Sequence, residues 1–121
     1  MNPDADAAGP WWVICLCAEW CGVCREWRTA FDEAAAAHPE LRFVWVDIED
    51  EAEAMGDVDV ETFPTLMIAK ASQPFFFGAV QPSGAQFVRL IASLQEGNSA
   101  GAVPAHAAPL LRRLVAHLLL K

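Results

Sequence analysis

The chain has 121 residues, 55% of them hydrophobic and 20% charged, with a formal net charge of −8. That length fits one domain able to bury its own core, and that composition excludes a disordered polar chain. The acidic balance excludes the basic surface that nucleic acid or an anionic membrane demands, and is otherwise read as solubility.

Residues 1–10 are small and polar, end in Gly9-Pro10, and read as a flexible lead-in. They carry neither the basic start nor the apolar run of a secretory signal, so the expected location is cytoplasmic. No apolar run reaches the length of a membrane span. Trp11–Cys17 (WWVICLC) is a short continuous apolar run, the pattern of a strand buried on both faces. From about Val23 to His38, Cys24, Trp27, Phe31 and Ala34 or Ala35 recur on one helical face, and Pro39 ends the helix. Leu41 to Ile48 is strand-like. Glu49 to Glu61 is acidic and is expected to hold a short helix and a loop, broken at Gly56.

Thr65 to Ala69 reads as a third strand and Phe75 to Gly78 as a fourth, with a turn over Lys70 to Pro74, so these two should form an antiparallel hairpin. Ser83 with Gln86 matches a capping box and opens a helix whose apolar face is Phe87, Leu90, Ile91 and Leu94. Residues 98–108 have linker composition. A last helix, 109–121, carries a broad leucine stripe, expected to pack on its own domain or to form a homodimer. The main domain is thus 11–97. The order implies an α/β fold: a mixed sheet of about four strands with flanking helices plus an extra C-terminal helix, its first two strands parallel.

All four cysteines, Cys15, Cys17, Cys21 and Cys24, fall in one ten-residue stretch. A disulfide framework would scatter them; clustering points to redox chemistry or metal binding. Cys21-Gly22-Val23-Cys24 sits where a strand hands over to a helix. Unpaired N–H groups and the positive dipole end at that point favour the Cys21 thiolate, the species that attacks disulfides. Cys24 is one turn on and faces inward with Trp27, as a shielded resolving thiol would.

Trp20-Cys21-Gly22-Val23-Cys24, preceded by Ala18-Glu19, resembles the active-site turn of the thioredoxin family. Phe63-Pro64-Thr65 resembles that family's hydrophobic-Pro-Thr element, and Gly78-Ala79 its glycine loop. The likeness covers about residues 11–96. It implies a thioredoxin-like fold and a thiol–disulfide oxidoreductase in cell redox homeostasis. Cys21 and Cys24 would then be catalytic, and Trp20, Gly22, Val23, Phe63, a cis Pro64 and Gly78 would form the substrate groove. It also implies protein substrates bearing disulfides or dithiols, an electron donor such as a flavin-dependent thioredoxin reductase, and no organic cofactor or metal.

The likeness has departures. Cys15 stands where the family holds a buried Asp, and Trp45 where it holds the partner Lys. Val23 replaces a Pro, and only ten residues precede Trp11, too few for the family's usual first strand and helix. Cys15, as an auxiliary thiol beneath the dithiol, would be placed to form a Cys15–Cys24 disulfide; its bland reading is a small buried hydrophobe. Two rival functions stay open at this stage. One is a redox-inactive binding module; the other is a zinc or iron–sulfur site made by Cys15, Cys17, Cys21 and Cys24.

Overall fold

A computed structural model describes residues 11–18, 22–56, 58, 64–71, 73–80, 84–97 and 103–119, with the side chains of Val23, Leu118 and Leu119 left aside. Four strands, β1 (Trp11–Cys17), β2 (Leu41–Asp47), β3 (Thr65–Lys70) and β4 (Gln73–Ala79), form one sheet in the order β2-β1-β3-β4. β1 runs parallel to β2 and antiparallel to β3, and β3 runs antiparallel to β4. The unbroken apolar run of β1 follows from this position: it is an inner strand, so both of its faces are buried.

Alternation along β1 divides the core in two. Val13, Cys15 and Cys17 point to one face, which is covered by α1 (Gly22–Ala37) through Cys24, Trp27, Phe31 and Ala34. Phe87, Ile91 and Leu94 of a later helix join that cluster. Trp12, Ile14 and Leu16 point to the other face, against the short helix α2 (Ala52–Met55). The helix at Gly84–Gln95 is α3 and the last helix, Ala107–Leu119, is α4. The stripe of α4 (Ala107, Leu110, Leu111, Leu114) is fully buried on this second face, so the helix packs on its own sheet.

Three boundaries differ from the sequence expectation. The β3–β4 connection is only two residues long, between Lys70 and Gln73, and Ala71 takes φ 54°. Such short hairpin links need left-handed residues to match strand twist. Pro74 therefore lies inside β4, opposite Ala69, where an edge strand tolerates a residue with no N–H. Gly78, expected as the last residue of that strand, pairs with Leu66, and β4 runs on to Ala79. Finally, α4 begins two residues before Pro109. That proline falls in the first turn, where its missing N–H breaks no helical bond.

Candidate active site

The carboxyl ends of β1 and β2, the amino end of β3 and the amino end of α1 meet at one end of the sheet. Cys24 sits in the first turn of α1 and is 1% exposed, its sulfur held against the sheet beside Trp27. Cys17, the last residue of β1, is bonded to Cys24 through a disulfide, with Cα atoms 6.0 Å apart. Strand alternation brings Cys15 to the same face, and its Sγ lies 3.6 Å from Cys17 Sγ. A sulfur already in a disulfide carries no proton, so the Cys15 thiol is the donor in that contact. Burial pushes the Cys15 thiol up to about 12, while the Trp27 indole and the Arg28 charge pull weakly the other way.

The sequence expectation joined Cys24 to Cys21 and considered Cys15 as its alternative partner. Among the described cysteines Cys24 is joined to Cys17 rather than to Cys15, which is free and buried. The reason is position along β1: Cys17 is one pleat closer than Cys15 to the point where α1 begins. Cys21, Trp20 and Phe63 lie outside the described residues. Gly22 opens α1 and is exposed. Pro64 is buried, and its carbonyl accepts the Val80 N–H at 3.0 Å, tying the entry of β3 to the exit of β4. Gly78 lies on β4 one residue from that exit.

The Cys17–Cys24 bond bears on the four-cysteine metal reading, because sulfurs joined to each other are not thiolate ligands. Among the described residues no group of three or more His, Cys, Asp or Glu is placed to hold a metal ion. None of the described helices is long and apolar enough to cross a membrane.

A cavity of about 390 Å³ opens beside Cys24, lined by Ala18, Arg25, Arg28, Trp45, Asp47 and Asp50. The Arg28 guanidinium lies 4.6 Å from the centre of the Trp45 ring. Cross-strand register sets Trp45 directly opposite Cys15. From the sequence, Cys17 enters only as one of four metal ligands, not as a partner of Cys24, and nothing points to this cavity. For Cys17 the signal was present: two cysteines two apart on a strand share a face, and the later one lies nearer the helix.

The profile of the family described as Thioredoxin matches residues 6–93. Thioredoxin H2-1 of Oryza sativa subsp. japonica is 33% identical over 61 residues, 50% of this chain and 44% of that protein. The X-ray structure of Fasciola hepatica thioredoxin superposes with a TM-score of 0.63 at 25% identity, covering 69% of this chain and 80% of that one. The oxidized form of mitochondrial thioredoxin 3 from Saccharomyces cerevisiae gives a TM-score of 0.62 at 21% identity, with 74% and 84% covered. The chain spans about half the length of the curated relatives it matches.

Proposed function

Because the chain belongs to the thioredoxin family, we propose that it is a thiol–disulfide oxidoreductase that exchanges disulfides with protein substrates through Cys21 and Cys24. The observation that carries this reading is the position of Cys24: in a chain that matches the thioredoxin family, its buried sulfur is fixed in the first turn of α1. A thiol held at a helix start, with a second cysteine three positions earlier in the chain, is suited to such chemistry.

In the reductive direction, the Cys21 thiolate attacks one sulfur of a substrate disulfide, and the other substrate sulfur leaves as a thiolate. Cys24 then attacks the Cys21 sulfur, releases the second substrate thiol and closes Cys21–Cys24. Two electrons pass from the dithiol to the substrate, and a flavin-dependent reductase in the cytoplasm is the donor this reading calls for. Trp20, Gly22, Val23, Phe63, Pro64 and Gly78 are proposed to present the groove that receives the substrate backbone.

Dithiothreitol-driven reduction of insulin tests this proposal. Wild type should accelerate precipitation of the insulin B chain, and Cys21→Ser should fall to the rate of dithiothreitol alone. Equal rates for wild type and Cys21→Ser would reduce the protein to a binding module.

A further inference from the structure

Three of the four cysteines share one buried corner of the core. Cys15 and Cys17 are 0% exposed and Cys24 is 1% exposed. The reading above needs Cys21 and Cys24 and leaves Cys17 without a role, yet Cys17 is the cysteine bonded to Cys24. Its Cα lies 6.0 Å from that of Cys24, inside the span a disulfide bridges. Cys24 faces the sheet from the first turn of α1, so Cys17 lies on the side toward which its sulfur already points.

Resting on the redox reading, we propose that Cys17 is a third redox-active cysteine, which takes Cys24 away from Cys21 and moves the disulfide into the core. The Cys17 sulfur attacks Cys24 Sγ of the Cys21–Cys24 disulfide. The Cys17–Cys24 bond forms, the Cys21–Cys24 bond breaks, and Cys21 leaves as a thiolate that takes up the proton Cys17 gives. One disulfide is consumed and one is made, so no outside oxidant or reductant enters.

Cys15 positions this step. Its thiol stays protonated across the neutral range, so it offers Cys17 a hydrogen-bond donor rather than a repelling charge. The product has a different reactivity from the Cys21–Cys24 form. Cys21 is a single thiol again, able to form a mixed disulfide with a substrate, while Cys24 is occupied and resolves nothing. Burial of both sulfurs shields the core disulfide from bulk reductant. The protein thereby changes from a dithiol that turns over into a monothiol that holds its partner.

Peptide mapping decides. The purified protein is oxidised with diamide, free thiols are blocked with N-ethylmaleimide in acid, and the chain is cut by a Glu-specific protease. Cleavage after Glu19 and Glu26 separates Cys15 and Cys17 from Cys21 and Cys24. The expected product is peptide 1–19 linked to peptide 20–26 through Cys17 and Cys24, with Cys15 and Cys21 blocked. In Cys17→Ala the link should vanish and the disulfide should close within 20–26. Should wild type close only Cys21–Cys24, or link through Cys15, this inference is overturned and the redox reading stands. Absence of any disulfide at Cys24 in wild type overturns both. Wild type alone is decisive if Cys17→Ala does not fold.

Discussion

Cys15 faces Trp45 across the β1–β2 pair and has no solvent contact, so burial outweighs the pull of the Trp27 indole and the Arg28 charge on its thiol. In the resemblance to thioredoxins this position belongs to a buried carboxylate. A thiol pushed up to about 12 gives and takes no proton near neutral pH, so it does not replace that carboxylate as a proton shuttle. Its raised value has a consequence for stability. Above pH 9.0 the thiol of the unfolded chain ionises while the folded one keeps its proton to about 12. The unfolded state then binds fewer protons, and stability falls with rising pH by about 1.4 kcal/mol per unit. The chain has no Tyr to ionise in that range, which leaves the effect visible. Cys15→Ala gives up about 1 kcal/mol of buried contact at pH 7 but escapes the alkaline loss. Urea unfolding of the oxidised proteins should therefore show the two stability curves crossing at roughly pH 10. A constant gap up to pH 11 would remove the assignment.

The β3–β4 hairpin shows where local sequence rules reached their limit. Pro74 was read as part of a turn because prolines punctuate turns, but the two-residue link moved the turn back and put Pro74 in an edge strand. Ala71 bears the cost: φ 54° is left-handed, where a Cβ is disfavoured by about 1–2 kcal/mol. Ala71→Gly relieves that strain and loses part of the gain to chain entropy, so a net stabilisation of about 1 kcal/mol is expected. Thermal melting at neutral pH checks it, and a lower melting temperature for Ala71→Gly would contradict the hairpin geometry. Other elements were legible because their patterns had one physical solution. The face of α1 repeats at Cys24, Trp27, Phe31 and Ala34, and each of these residues is buried. The run of β1 had to be an inner strand. The partner of Cys24 was legible only in part: alternation puts Cys15 and Cys17 on one face with Cys17 nearer the helix start, but the sequence does not say that the helix start brings Cys24 within bonding reach of it.

The leucine stripe of the last helix announced burial without saying against what, and only the assembled sheet answers that. The second sheet face would be open without it: Trp12, Ile14, Leu16 and Met67 all rely on α4 and on the small α2 for cover. α4 is also fastened at its polar edge. Arg113 Nε donates to the Ala54 carbonyl at 2.8 Å and its Nη2 to that of Met55 at 3.1 Å, closing the end of α2. His117 Nε2 lies 2.7 Å from a Glu51 carboxylate oxygen, just before that helix begins. Leu110, Leu111 and Leu114 each contribute about 1.5–3 kcal/mol by burial, together about 5–9 kcal/mol. Domains of this size have a total stability of roughly 5–15 kcal/mol, so the helix carries much or all of the margin. A chain ending at Ser99 should therefore lose its cooperative thermal transition and bind a hydrophobic dye, rather than remain folded with one surface altered. Sedimentation separates this from the alternative in which the stripe joins two copies. A full-length dimer that becomes a folded monomer on truncation would assign α4 to a partner; a full-length monomer whose truncated form is unfolded assigns it to its own sheet.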